Sequence, residues 1–149
     1  MKRSVLLVLA GTLAAPAAAG PLTPTRPSDV VTLVNGAGTP CTVTGSALDL
    51  RVQPDGTRVP FAVPPGRVLV VTGIDFTTPD AAATDVELFV ERPPDASQVF
   101  VTSTAGGGSA SIPNVIVGSG SALCVRAVPK AGGASPVLAV VHGFLAKDK

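Results

Sequence analysis

The chain of 149 residues sets 11 Lys and Arg against 10 Asp and Glu, and it holds no Trp, no Tyr and five Phe. So even a charge gives no electrostatic grip on nucleic acid or an anionic membrane, and so few rings leave neither a stacking platform for single-stranded nucleic acid nor the usual contact surface for sugars. One His and two Cys fall short of a zinc site, no cofactor-binding motif occurs, and no cofactor is expected.

Met1 to Ala19 reads as a secretory signal peptide. Lys2 and Arg3 form a basic start, Val5 to Leu9 with Leu13 a short apolar core, and Ala17-Ala18-Ala19 the small residues that precede cleavage. The apolar stretch is shorter than the roughly 20 residues of a membrane span, and no cysteine stands at the cleavage point to take a lipid. The expected product is secreted or periplasmic, with no membrane anchor. Residues 20–28 contain Pro21, Pro24 and Pro27 and form an extended leader. Residues 29–146 form a single domain long enough to bury its own core, and residues 147–149 form a polar tail.

From Asp29 onward, short β-branched runs alternate with Gly, Pro, Asp and Ser, and no helical period appears. Val30 to Val34 is the first strand, stopped by Asn35-Gly36. Ala47 to Gln53 alternates, with Leu48, Leu50 and Val52 on one face and Asp49, Arg51 and Gln53 on the other. The turn Pro54-Asp55-Gly56 returns the chain through Val59 to Val63, and Pro60 must sit at an edge or a bulge. Val68 to Phe76 is apolar on both parities at its start, as a central strand is; alternation sets Asp75 beside Leu69 and Val71, where burial would demand a partner. Asp85 to Arg92 points Val86, Leu88 and Val90 inward and Asp85, Glu87 and Glu91 outward. Phe89 falls on that charged side, so it is either exposed or covered by a loop. Gln98 to Thr104 follows, and Ala105 to Ser109 reads as a flexible glycine loop before Ile112 to Val117. After the turn Gly118 to Ser121 come Ala122 to Val128, a turn over Lys130 to Ser135, and Val137 to Leu145. About nine strands result, and the expected fold is all-β: a single antiparallel β-sandwich, jelly-roll-like or another Greek key.

In an oxidising compartment, Cys41 and Cys124 are expected to form one disulfide. By loop entropy such a bridge adds about 4 to 5 kcal/mol, less any strain. It also requires an early segment and the penultimate strand to be neighbours. An immunoglobulin domain would meet that requirement, but its central Trp is missing and Ala122 stands where its corner Tyr belongs.

The stretch Val59-Pro60-Phe61-Ala62-Val63-Pro64-Pro65-Gly66-Arg67-Val68-Leu69-Val70-Val71-Thr72, with the terminal Val140-Val141-His142-Gly143-Phe144-Leu145, resembles small exported bacterial β-sandwich proteins. The resemblance implies a β-sandwich and transfers no functional residue.

Catalytic constellations are scarce. His142 is the one available base, and on strand parity it shares a face with Leu138, Val140 and Phe144, as a structural histidine at a sheet surface does. No G-x-S-x-G elbow occurs; Gly107-Gly108-Ser109-Ala110-Ser111 comes nearest but ends in Ser. The carboxylates Asp85, Glu87 and Glu91 form a stripe that Asp49 and Asp75 join if their strands are adjacent, and Asp85 and Glu87 are the residues from which a calcium site would start. A fimbrial subunit would share the export signal and the single disulfide, but the penultimate aromatic of such chains is missing here. The expectation is a secreted, non-catalytic structural, surface or binding module with a protein or surface partner, including a second copy of itself. The alternative is a calcium-dependent binder or hydrolase working from the acidic strand face. No catalytic or cofactor-binding residue is expected.

Overall fold

Among the described residues, runs of β-branched residues bounded by turn formers give ten strands and one 3-10 turn, Pro27–Asp29. The computed structural model describes residues 23–24, 26–36, 41–42, 45–79, 83–131 and 136–148. The signal segment lies outside them, as do residues 132–135 of the expected turn and Lys149 of the tail. In chain order the strands are β1 (Val30–Val34), β2 (Ser46–Ala47), β3 (Leu50–Val52), β4 (Arg58–Pro60), β5 (Arg67–Thr77), β6 (Ala83–Arg92), β7 (Asp95–Ala105), β8 (Gly107–Gly118), β9 (Ala122–Pro129) and β10 (Leu138–Lys147).

They form two antiparallel sheets, the first ordered β4-β3-β1-β10-β5-β8 and the second β2-β9-β6-β7. Apart from the β3–β4 hairpin, the eight remaining strands pair first with last and second with next to last, then β5 with β8 and β6 with β7. That is the strand order of a jelly roll. Between the sheets lie Leu33, Leu69, Val71, Ile74, Val86, Leu88, Val125 and Val141, all essentially inaccessible to water. The central strand expected at Val68 to Phe76 is β5, which lies between β10 and β8 with Val68 to Val71 buried on both faces. Cys41 and Cys124 are bonded, with their Cα atoms 6.2 Å apart, and so tie the β1–β2 crossover to β9.

Three expectations are corrected. The alternating segment Ala47 to Gln53 is not one strand. Ala47 belongs to the second sheet and Leu50 to the first, and Leu48, whose N–H donates to Leu123 O at 2.9 Å, is part of the crossing between them. Ala47 and Leu48 are therefore both buried, a pattern that simple alternation does not produce.

Ala105 to Ser109 is not a glycine loop. Gly106 alone separates β7 from β8, and Gly107, Gly108 and Ser109 pair with Thr77, Phe76 and Asp75. Glycine is needed here for close approach: Gly107 has φ 154°, and a Cβ there would meet Phe76 O at 2.8 Å.

Asp75 does not share a face with Leu69 and Val71. The register of β5 against both β10 and β8 shifts next to Thr72-Gly73, which reverses parity. Ile74 and Phe76 then turn inward, and Asp75 turns out to solvent.

Candidate functional site

On the outer face of the six-stranded sheet, register sets Val140 of β10, Asp75 of β5 and Ser109 of β8 side by side, with His142 one step along β10. His142 Nε2 lies 2.9 Å from Asp75 Oδ2, and the Ser109 hydroxyl also donates to the Asp75 carboxylate. These bonds, that from Ser109 first and that from His142 second, hold the Asp75 pKa below its ordinary value of 3.8. Serine, histidine and aspartate are thus brought together on three adjacent strands.

The order of the three groups decides their chemistry. A hydrolytic triad needs the imidazole between the hydroxyl and the carboxylate, so that the base reaches the nucleophile's proton. Here the carboxylate is in the middle. Ser109 and His142 stand on strands separated by two interstrand spacings, roughly 10 Å, and both direct their protons toward Asp75. The serine is hydrogen-bonded to an acid instead of being activated by a base.

Beside this row a pocket of about 530 Å3 is lined by Asn35, Arg58, Asp75, Ser109, Leu138 and Val140, among others. Asn35 Oδ1 accepts the Ala139 N–H at 2.5 Å, which fixes the amide orientation and leaves Asn35 Nδ2 buried with no hydrogen-bond partner. Orphaned buried donors are uncommon in folded proteins and mark places where an acceptor from water or a ligand is due. Leu138 on the rim is 71% exposed. Farther along the same face, Val30, Phe144, Val70 and Ile116 are paired across four strands. Val30 and Ile116, at the two ends of this apolar row, are about half exposed, whereas Val70 in its middle is covered by its neighbours.

The acidic residues of β6 are on the outer face of the other sheet. Asp49 lies in the crossing between β2 and β3 and Asp75 on the opposite sheet, so neither joins them. Each carboxylate has its own partner: Asp85 accepts from Ser103 and faces Lys130 at 3.7 Å, Glu87 pairs with Arg126, and Glu91 accepts the Thr42 N–H at 2.8 Å. Glu91 points outward as expected but is only 3% exposed, because the segment bearing Thr42 lies over it. Phe89 is covered as well, with the Arg126 guanidinium 4.8 Å above its ring and Cys124 opposite it on β9. Among the described residues, Cys41, Glu91 and Cys124 form the one close group of metal-type donors, but the sulfurs are bonded to each other and present no thiolates.

Sequence reasoning singled out His142, Asp75 and Ser109 one at a time and missed their meeting, because the Gly73 irregularity and the pairing of Ser109 with β5 are tertiary facts. Asn35 and Arg58 were missed as site residues. Asn35 gives one signal, the Asn-Gly stop that ends the first strand, and nothing in the sequence ties that stop to Asp75. No protein-family model matches this chain, and no curated protein matches it in sequence.

Proposed function

We propose that the protein is an exported, non-catalytic β-sandwich that binds a partner on the outer face of its six-stranded sheet. The observation that carries this reading is the pocket beside Asp75, whose lining includes Asn35 with its orphaned amide, Arg58 and exposed Leu138. A few convergent polar groups beside apolar surface are the ordinary makeup of a recognition site. The partner's contact group is a hydrogen-bond acceptor carried beside an apolar side chain, as a protein surface presents. The order serine–aspartate–histidine supports a binding role over a hydrolytic one. The disulfide and the basic–apolar–small pattern of residues 1–19 support export. The calcium reading has less support, since Asp85 and Glu87 each have a cationic partner.

The test compares the mature chain with Leu138→Asp and Asn35→Ala variants as immobilised baits for proteins of its native host. A partner identified by mass spectrometry on the unmodified bait and lost from both variants is the expected result. A partner held equally by all three overturns the face assignment. Labelling of Ser109 by a fluorophosphonate probe, abolished in Ser109→Ala, would overturn the non-catalytic reading.

A further inference from the structure

The two sides of the sandwich end in unlike strands. On one side the sheets end in β4 and β2, three and two residues long. β4 carries Arg58 and Pro60, and proline has no N–H to offer a neighbour. On the other side the sheets end in β8 and β7, 12 and 11 residues long. Short length, charge and proline are the devices that stop an exposed edge from pairing with another chain. The first side has all three. From Ala96 through Val125 the sequence has no Asp, Glu, Lys or Arg, so the second side has no charge on either edge beyond Asp95 at the start of β7.

The two long edges are not equivalent. β8 is interrupted at Pro113 and Asn114, the latter at φ 39°, where its pairing with β5 shifts. β7 has one irregularity, opposite Leu88 and Phe89, and beyond it Phe100 to Ala105 runs unbroken against β6. Its residues Phe100-Val101-Thr102-Ser103-Thr104 are mostly strong β formers. Thr104 then closes the corner, its Oγ1 accepting the Gly107 N–H at 3.1 Å. In an antiparallel ladder alternate residues direct N–H and C=O away from the partner strand. Along Phe100 to Ser103 those groups face out from the sheet edge.

We propose that this edge joins two copies of the chain, β7 pairing antiparallel with β7 of the second copy about a two-fold axis so that two four-stranded sheets become one of eight. A two-fold contact presents the same surface to itself, so any charge near the axis would meet its like, and none is present. Val101, 53% exposed, meets its mate across the axis and gives the pairing an apolar contact. The opposite side, with Arg58 at its edge, has the reverse character. The inference is independent of what binds at Asn35 and Leu138, because β7 belongs to the other sheet.

Sedimentation velocity of the exported, disulfide-bonded mature chain over a wide concentration range tests it. The expected result is a monomer–dimer equilibrium weakened about tenfold or more by Val101→Lys, which puts like charges together at the axis, and unchanged by Val59→Lys on β4. Hydrogen exchange on the unmodified chain reads the same edge without a substitution. The amides of residues 100–103 are expected to exchange more slowly at high concentration than at low, and those of β4 equally at both. A monomer at every concentration overturns the proposal. So does a dimer that Val101→Lys leaves intact, or protection that appears elsewhere and not on β7.

Discussion

The outer faces of the two sheets differ in how completely the chain covers them. On the four-stranded sheet, Glu87, Phe89 and Glu91 lie under Arg126, the disulfide and the backbone of Thr42, and both of these carboxylates have an internal partner, while Val101 and Val128 farther along the same face stay exposed. On the six-stranded sheet, Leu138, Val30 and Ile116 face water, and Asn35 keeps a buried donor unmatched. Alternation alone would make both faces ordinary solvated surfaces. The cross-link and the crossover it anchors cover the Phe89–Glu91 end of one face, and among the described residues no such segment covers the other. The chemistry follows this division: the acidic stripe from which a calcium site would start is on the face that the disulfide partly covers, and the Asp75 row and the unmatched Asn35 amide belong to the other sheet.

Uncovering the covered face should have the largest effect. Replacing Cys41 and Cys124 with Ala frees a closed loop spanning 83 residues, and denaturant unfolding is expected to show a loss of about 5 kcal/mol or more. The loss should exceed what loop entropy alone gives, because Thr42 also leaves the buried Glu91 carboxylate. A cost under about 1 kcal/mol would mean that the crossover stays in place without the bridge, and the contrast between the faces would then have another origin.

A smaller effect is expected where the open face is assembled. Gly107→Ala puts a Cβ against Phe76 O and disfavours the register that brings Ser109 to Asp75. The expected cost is about 1 to 3 kcal/mol, together with loss of the Ser109 contact. Gly56→Ala separates this from a conformational penalty alone. Gly56 has φ +83° and nothing within 4 Å of the added carbon, so it should lose only about 1 kcal/mol and leave Asp75 undisturbed. Equal losses, with the Ser109 contact retained in both, would show that close approach at Gly107 is not what sets the register.

The outcome at these positions also explains what the sequence made legible. The strands expected at Val30 to Val34, Val68 to Phe76 and Ala122 to Val128, the sandwich and the Cys41–Cys124 bridge follow from local pattern and cysteine count, because alternation, turn residues and paired cysteines act over a few residues or over the whole chain. Pro60, expected at an edge or a bulge, is on the edge strand β4, where its missing N–H leaves no neighbour unpaired. What failed depends on contacts between strands. A glycine run looks the same whether it is a mobile loop or a strand pressed against Phe76, and a single irregularity at Gly73 moves Asp75 from an apolar face to a polar one. Glu91 reads as solvent-facing until the segment bearing Thr42 is seen lying over it. The site is composed almost entirely of such pairings, which is why Asp75, Ser109 and His142 stand out one at a time in the sequence while their meeting, and the part of Asn35 and Arg58, do not.

The smallest expected effect is electrostatic and tests the open face most directly. Asp75 is held below its ordinary pKa of 3.8 by the hydroxyl of Ser109 first and by His142 second. A lowered native pKa means that the unfolded chain binds the proton more readily, so the stabilisation is fully present above the ordinary value and is lost as pH falls through the native one. Because the carboxylate is exposed, the effect on stability is small and screened by salt, and the titration itself is the better readout. Following the Asp75 side-chain carbon by NMR, we expect a midpoint below 3.8 in the unmodified chain, returned farther toward that value by Ser109→Ala than by His142→Ala. An ordinary midpoint in the unmodified chain would show that the carboxylate is not the acceptor shared by β8 and β10. The serine and histidine would then be free for chemistry, and the distinction between a binding face and a catalytic one would fall at the same residue.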